Sequence, residues 1–252
     1  MSYCLSIRGC SITNDDSLFP WIGVLGGLGP VSTVNFFDAV IREQHRVVNR
    51  DQDYLNVIVS CASWLPSPSR CFYSGENPAP AIRQELLRLY QFGARVLVVA
   101  CNTAHIYLSE IREDLPSDLV LIDIVREVVE FVSGRRMKRV GLLGSEATIE
   151  SKLYETSLKQ RSVECITLPS SKNHLVMEII HDVKRGVFRR SEIAEIASDL
   201  LTLGSEAVIL GCTELSMVLA KYLGDWPYID STTVAAKALV ECARRSGIGS
   251  GI

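Results

Sequence analysis

Two cysteines, Cys101 and Cys212, stand in matched sequence settings and are the strongest candidates for chemistry. Cys101 follows the apolar run V-L-V-V-A and precedes N-T-A-H, and Cys212 follows A-V-I-L-G and precedes T-E-L. A thiol between a buried strand and a helix start lies near backbone N–H groups, whose partial positive charge lowers its pKa and favours the thiolate. A single cysteine in this position is usually only a small buried hydrophobe, but the repeated context favours one shared functional site.

The two thiols are expected to work as a pair. If they face each other across a cleft, one can be a thiolate while the other stays a thiol, because two adjacent negative charges are disfavoured. A thiolate can remove a proton from one face of a carbon atom, and a thiol can return a proton to the opposite face. The pair therefore predicts inversion of a stereocentre by proton transfer.

Polar and cationic side chains elsewhere in the sequence could hold a substrate that carries carboxylates. Asn102, Thr103 and Thr213 offer donors that would stabilise the charge developing on a carboxylate as the α-carbon loses its proton. Arg70 and Lys184 are candidates for binding a second substrate carboxylate, although either residue alone is normally a solvated surface charge. We expect Arg70 to lie on a long irregular loop, and such loops in compact domains are usually functional or disordered.

A glycine-rich segment, G-G-L-G-P at residues 26–30, separates the first predicted strand from the first predicted helix. It could be a dinucleotide-binding fingerprint, but Ser32 stands where the third glycine of that motif is expected. The N–H groups at the start of a helix can equally hold a carboxylate. Gly27 and Gly29 are therefore candidates for substrate binding.

His105 and Glu214 each follow one of the cysteines closely, and each has two possible roles. His105 lies one helical turn beyond Cys101 and could orient or polarise its sulfur, or it could be a helix histidine with satisfied hydrogen bonds. Glu214 could support Cys212, or it could be an acidic residue favoured by the dipole in the first turn of a helix. Both are candidates for indirect support of the cysteines.

Strands and helices alternate along the chain, which predicts parallel sheets with right-handed crossovers. The pattern R-V-G-L-L-G-S at residues 139–145 resembles W-I-G-V-L-G-G at residues 21–27, and a cysteine-bearing strand follows each at a similar spacing. This recurrence indicates an internal duplication. We therefore expect an α/β fold of two pseudo-symmetric α/β domains, each with a small, mostly parallel sheet flanked by helices, and an active site in the interdomain cleft. The expected divisions are a loose N-terminal tail at residues 1–20, a first α/β domain at residues 21–116 plus 226–252, and a second α/β domain at residues 117–225.

Composition argues against several classes of partner. The net charge of −3 over 252 residues, without a long basic block, argues against binding to nucleic acid or to an anionic membrane. We find neither a signal-peptide core in residues 1–20 nor an apolar run of about 18 residues, so the expected protein is soluble and cytoplasmic. The eight cysteines are spread over the chain without a C-x-x-C pair, which favours reduced thiols and makes a structural zinc site unlikely.

The motifs around the cysteines resemble those of the aspartate/glutamate racemase family, the cofactor-independent amino-acid racemases. The resemblance lies in G-V-L-G-G-L-G-P-V-S-T at residues 23–33, A-C-N-T-A-H at 100–105 and G-C-T-E at 211–214, and it covers the chain from about residue 21 to 243. It implies two pseudo-symmetric α/β domains, a homodimer, and a cleft in which two cysteines exchange the α-proton without pyridoxal phosphate or metal.

The resemblance also implies roles for single residues. Cys101 and Cys212 match the paired catalytic positions of the family, and Asn102, Thr103 and Thr213 match contacts to the substrate carboxylate. The aspartate racemases commonly carry P-D-R-T after the second strand, and the P-S-R-C of this chain at residues 68–71 keeps the proline and Arg70. Lys184, in V-K-R-G, resembles the lysine that helps hold the side-chain carboxylate in the aspartate enzymes.

A small dicarboxylic amino acid is therefore the expected substrate, and racemisation of aspartate, or of glutamate, is the expected activity. Two alternatives stay open from the sequence. Maleate isomerase, a related enzyme on this fold, also uses two cysteines, so cis–trans isomerisation of maleate is one of them. The other is a small-molecule binding protein that kept the fold without catalysis.

Overall fold

Two separate four-stranded parallel sheets form the framework of the molecule. The computed structural model describes residues 21–188, 190–219 and 227–248, so the tail predicted at residues 1–20 lies outside the described residues. The first sheet has the order β2-β1-β3-β4 and the second has the order β6-β5-β7-β8. The strands are β1 (Trp21–Gly26), β2 (Val57–Cys61), β3 (Ala94–Val99), β4 (Val120–Ile122), β5 (Arg139–Gly144), β6 (Glu164–Ile166), β7 (Ala207–Gly211) and β8 (Tyr228–Asp230).

Helices follow the strands along the described part of the chain. They are α1 (Pro30–His45), α2 (Pro68–Ser74), α3 (Ala79–Gln91), α4 (Leu108–Arg112), α5 (Ile124–Gly134), α6 (Glu146–Glu150), α7 (Leu153–Lys159), α8 (Ser170–Lys184), α9 (Arg190–Thr202), α10 (Thr213–Leu219) and α11 (Ser231–Ile248). Short 3₁₀ turns occur at Asp51–Asp53 and Thr103–Tyr107. No helix within the described ranges is both long enough and apolar enough to cross a membrane.

The predicted fold class is confirmed. All six strand pairings are parallel, and the two sheets repeat one strand order, in which the two central strands of each sheet are its first and third along the chain. Parallel strands require crossover connections, and helices provide them here. The repeated order agrees with the duplication inferred from the two recurrent sequence patterns.

Two short outer strands, β4 and β8, lie in sheets other than those expected from the predicted domain limits. β4 pairs with β3 in the first sheet, although residues from 117 onward were assigned to the second domain. β8 pairs with β7 in the second sheet, although residues from 226 onward were assigned to the first. Each strand has three residues, and its partner is chosen by packing across the sheet, which sequence periodicity does not report. The division of the chain into two domains stays a prediction.

The segment that carries Arg70 is a helix, so the prediction of a long irregular loop there is wrong. Ser67 precedes α2 and its side chain accepts a hydrogen bond from the Arg70 backbone N–H, while Pro68 occupies the first helical position. Both residues favour the start of a helix. Gly75 ends α2 in the left-handed conformation, with φ of 77°. The helix holds Arg70 on a regular element.

One continuous hydrophobic core joins the two halves. A single cluster of buried side chains contains Val98 of β3, Leu142 of β5, Ile209 of β7 and Leu239 of α11. Each aliphatic side chain that is fully buried in this way contributes roughly 1.5–3 kcal/mol to stability. Because α11 also packs against α1 and α5, the shared core fixes the position of one sheet relative to the other. It therefore fixes where the ends of β3 and β7 meet.

Candidate active site

A cavity of about 290 Å³ between the two halves contains both candidate cysteines. It lies at the carboxyl ends of β3 and β7, the edge at which parallel sheets bind ligands. The structure brings together most of the side chains selected from the sequence. Those that line this cavity are Arg70, Cys101, Asn102, Thr103, Lys184, Cys212, Thr213 and Glu214.

Cys101 leaves the first sheet directly after β3. Its backbone N–H donates to the Val99 carbonyl at 2.8 Å, which turns the chain away from the strand. Burial raises the pKa of the Cys101 thiol to about 11, and the backbone N–H groups of Ala104 and Thr103 only partly oppose this rise. The expected lowering of this pKa is therefore wrong for the unliganded protein, because removal from water outweighs the short 3₁₀ turn that follows.

Cys212 has the same position at the end of β7 and a different neighbour. Its thiol donates a hydrogen bond to Oε2 of Glu214 at 3.0 Å. Burial, and then the negative charge of Glu214, raise the pKa of Cys212 well above its ordinary value, so the expected lowering is wrong here too. Burial therefore favours the protonated thiol at both cysteines.

Glu214 is a buried carboxylate that touches both the thiol and a lysine. Its Oε2 also accepts a hydrogen bond from the Thr213 hydroxyl at 3.2 Å, and its Oε1 lies 3.8 Å from Nζ of Lys184. Glu214 is 4% exposed, and Oε1 has no hydrogen-bond partner among the described residues. Of the two roles considered for Glu214, the contact with Cys212 agrees with support of the cysteine.

Asn102 is held by side chains of the other half of the molecule. Its Oδ1 accepts a hydrogen bond from the Tyr154 hydroxyl at 2.5 Å, and its Nδ2 donates to Oγ of Ser231 at 3.1 Å. Ser231 in turn donates to the Leu210 carbonyl of β7 at 2.6 Å. This series of hydrogen bonds links the ends of β3 and β7. It includes the side-chain amide of Asn102, the group expected to contact substrate. That substrate contact stays a prediction.

Thr103 also joins the two halves. Its hydroxyl lies 2.9 Å from Oγ of Ser145 and 3.0 Å from Oγ1 of Thr148, and the latter two hydroxyls lie 2.9 Å apart. Sequence reasoning missed both of these partners, together with Tyr154 and Ser231. Ser145 could have been found, because it ends the repeated R-V-G-L-L-G-S pattern and so takes the place of the glycine loop in the second half.

His105 is a buried histidine whose ring binds main-chain groups on both sides. Its Nε2 accepts a hydrogen bond from the Ile124 N–H at 3.1 Å, which leaves the proton on Nδ1 to donate to the Cys101 carbonyl at 2.8 Å. Burial lowers the pKa of His105, so the ring stays neutral. Both ring nitrogens are thus engaged, which agrees with a satisfied histidine that holds the backbone at Cys101.

This histidine predicts a pH dependence of stability. Because its pKa is lower in the folded protein than in the unfolded chain, His105 contributes stability above the ordinary value of 6.5, and this stability is lost as pH falls towards the folded pKa. We expect the free energy of unfolding to fall between about pH 8 and about pH 5.5, and to fall less steeply in His105→Gln. Urea unfolding at both pH values measures this slope.

The control for this measurement is His174→Gln, because the His174 side chain is 73% exposed. We expect it to keep the wild-type slope. If His105→Gln and His174→Gln have the same slope as the wild type, the assignment of a neutral, buried His105 is refuted.

The glycine loop forms a second cavity of about 270 Å³ beside the first. Gly27 and Gly29 line it, and four residues are common to both cavities: Leu28, Ser67, Lys184 and Glu214. Gly27 has φ of +88°, and a Cβ there would collide with the Ala62 backbone. A Cβ on Gly29 would lie 2.6 Å from Oε1 of Glu214. Both glycines are therefore required for close packing of the loop against the site.

Helix α8 adds side chains that the sequence reasoning missed. Met177, Ile180 and His181 line the first cavity together with Lys184. His181 lies three residues before Lys184, so both fall on one face of the helix, and this spacing could have identified it. Among the described residues, no group of three His, Cys, Asp or Glu side chains is placed to hold a metal ion.

Comparisons with known proteins agree with this arrangement. A profile of the Asp/Glu/hydantoin racemase family matches residues 25–239. The broad-specificity amino-acid racemase RacX of Bacillus subtilis is 30% identical over 232 residues, which cover 87% of this chain and 96% of that protein.

Solved structures of racemases have the same fold. The aspartate racemase of Picrophilus torridus is 25% identical with a TM-score of 0.77, and the match covers 88% of this chain and 94% of that chain. The glutamate racemase isoform RacE1 of Bacillus anthracis is 21% identical with a TM-score of 0.64, over 91% of this chain and 83% of that chain.

Proposed function

Because the chain belongs to the Asp/Glu/hydantoin racemase family, we propose that it interconverts L- and D-aspartate by proton transfer between Cys101 and Cys212. The observation that carries the proposal is the placement of both thiols in one cavity with the cations Arg70 and Lys184. A homodimer and a cytoplasmic location stay predictions.

The reaction is balanced within the cysteine pair. The thiolate of one cysteine takes the α-hydrogen as a proton, so a C–H bond breaks and an S–H bond forms. The thiol of the other cysteine then gives its proton to the opposite face of the same carbon, so an S–H bond breaks and a C–H bond forms. The two cysteines exchange protonation states, and the substrate changes only its configuration.

Because burial favours the protonated form of both thiols, the first thiolate forms on substrate binding by loss of one thiol proton to solvent. The substrate brings an ammonium group into the cavity, and a positive charge close to a thiol lowers its pKa. Closure of the cavity around the substrate would strengthen this effect, since charges interact more strongly when water is excluded. Binding and activation are therefore coupled in this proposal.

The charges of the cavity suit an acidic amino acid. Arg70 and Lys184 are cations, and the negative charge of Glu214 lies against Lys184, which leaves an excess of one positive charge. Aspartate carries two carboxylates and one ammonium, so its single net negative charge complements this excess. The guanidinium of Arg70 can bind a carboxylate through two parallel hydrogen bonds. The similarity to the Picrophilus torridus aspartate racemase supports the same choice.

Incubation of the full chain with L-aspartate in heavy water tests the proposal. We expect D-aspartate to form until both enantiomers are equal, with deuterium at Cα because the returning proton comes from a thiol that exchanges with solvent. Chiral chromatography with mass spectrometry measures both quantities, and L-alanine, which lacks the second carboxylate, is the matched control substrate. The proposal fails if neither L-aspartate nor L-glutamate is converted or deuterated.

A racemase with a wide substrate range is the second candidate function. Two observations favour it: the near full-length match to the broad-specificity enzyme RacX, and the second cavity, which adjoins the first at Lys184 and Glu214. This additional space could take side chains longer than that of aspartate. In the same assay, comparable conversion of L-aspartate, L-glutamine and L-alanine would favour this function over an aspartate-specific one.

A further inference from the structure

The two cysteines have unequal neighbours, although their sequence settings match. Two residues after Cys212, Glu214 places a carboxylate oxygen 3.0 Å from Sγ. Two residues after Cys101, the equivalent position is Thr103, whose hydroxyl bonds to Ser145 and Thr148. The pseudo-symmetry of the fold is therefore broken at the point where the two thiols meet substrate.

The carboxylate of Glu214 is held in place on several sides. The side chain is 4% exposed and accepts a hydrogen bond from the Thr213 hydroxyl. Its Oε1 lies against the backbone of Gly29, which has no side chain to occupy the space between them. The Lys184 ammonium at 3.8 Å balances its negative charge. These contacts keep Oε2 directed at Cys212 in the unliganded protein.

We propose that Glu214 makes the pair unequal: it holds the proton on Cys212, so that Cys101 is the thiol that becomes the thiolate first when substrate binds. This inference rests on the proposed function, because it assigns an order to the two cysteines of that reaction. A thiolate on Cys212 would lose its hydrogen bond and face a carboxylate oxygen at 3.0 Å. A thiolate on Cys101 would accept a hydrogen bond from the backbone N–H of Ala104, and the charge of Glu214 would act on it without a direct hydrogen bond.

Glu214 is a positioning residue in this scheme, because it acts on the reaction through Cys212. Substrate of one configuration presents its α-hydrogen to Cys101 and reacts once the Cys101 thiol has lost its proton to solvent. Substrate of the other configuration requires the proton to leave Cys212 first. Because the two enantiomers are equally stable, kcat/KM must be equal in the two directions. The difference between the cysteines therefore has to be measured as a difference in the ionisation of the two thiols.

The pH dependence of alkylation measures the difference in ionisation between the two cysteines directly. The full chain is treated with iodoacetamide over a range of pH, and mass spectrometry follows the peptides that contain Cys101 and Cys212. Iodoacetamide reacts with thiolates, so the pH midpoint of each rate reports the ionisation of that thiol. We expect the midpoint of Cys101 to be lower than that of Cys212. The inference is overturned if the two midpoints coincide or if their order is reversed.

The variant Glu214→Gln keeps the size of the side chain and removes its charge. We expect the midpoint of Cys212 to fall by about one pH unit or more, and that of Cys101 to fall by less, because Glu214 contacts only the former thiol. Glu214→Asp retains the charge on a shorter side chain and should restore part of the wild-type difference. An unchanged Cys212 midpoint in Glu214→Gln would refute the role of Glu214.

Lys184→Met provides a second variant that does not alter Glu214. Among the described residues, the positive charge of Lys184 lowers the pKa of Cys212, and Arg70 and His181 also line the cavity; loss of the Lys184 charge should therefore move the Cys212 midpoint upward. A downward shift or no shift would contradict the charge balance described here. A racemase assay that fails would overturn the proposed function, whereas coincident or reversed midpoints in a chain that racemises aspartate would overturn this inference alone.

Discussion

Cys101→Ser and Cys212→Ser are each expected to lower kcat/KM for racemisation by about 10²–10⁴-fold, the range typical of loss of a general acid or base. A serine hydroxyl ionises far less readily than a thiol, so it can neither remove the α-proton nor return one efficiently. Each variant keeps one thiol, which can still exchange the α-hydrogen of the enantiomer that faces it. Chiral chromatography measures the racemisation, and proton NMR in heavy water measures the exchange.

The exchange experiment distinguishes the roles of the two cysteines. We expect Cys101→Ser to exchange the α-hydrogen of one enantiomer and Cys212→Ser that of the other, because the thiols are proposed to lie on opposite faces of the substrate. Cys61→Ser is the matched control, since Cys61 ends β2 and does not line the cavity, and this variant should racemise like the wild type. Wild-type racemisation by either of the first two variants would disprove the two-base assignment.

Asn102→Ala is expected to destabilise the fold by about 2–5 kcal/mol. The substitution leaves the buried Tyr154 hydroxyl without its acceptor and removes the donor to Ser231, and each buried polar group left unpaired costs about 1–3 kcal/mol. For a chain of this size, the loss corresponds to a fall in Tm of roughly 5–15 °C. Thermal unfolding followed by circular dichroism measures it.

Tyr154→Phe tests the same hydrogen bond from its other end. Burial raises the pKa of the Tyr154 hydroxyl, so the group remains a donor at all physiological pH values. We expect a smaller loss, about 1–3 kcal/mol, because only the Asn102 acceptor is left unpaired. If Asn102→Ala unfolds at the wild-type temperature but raises KM, the side chain serves substrate binding rather than the junction between the two halves.

Most of the architecture could be predicted from periodicity and recurrence. Apolar runs ending at Cys101 and Cys212 identified β3 and β7, and the repeated glycine pattern identified β1 and β5. The short strands β4 and β8 could be located roughly but not assigned to their sheets, because three residues carry too little pattern to specify a partner. The segment of helix α2 was predicted to be a loop, whereas Ser67 and Pro68 form a helix start.

Much of the candidate site could also be predicted, because the two cysteines and the residues next to them follow strands that end at one edge. Arg70, Lys184 and the residues next to each cysteine line the same cavity. Their hydrogen-bond partners could not be predicted, since Tyr154 and Ser231 are distant in sequence and reach Asn102 only when the halves pack together. The main-chain partners of the buried His105 follow β3 and β4 of the first sheet, so the contact with Ile124 depends on the pairing of these strands.

By itself, the sequence determined that two thiols end equivalent strands, because apolar patterning and the recurrence of a motif are local properties of the chain. It did not determine the ionisation of those thiols, and the prediction of lowered pKa values was wrong. Only the tertiary structure decided that both are buried and that one donates to Glu214. The physical reason is that the pKa of a thiol depends on all the charges and solvent around it, and the folded packing of both halves sets these.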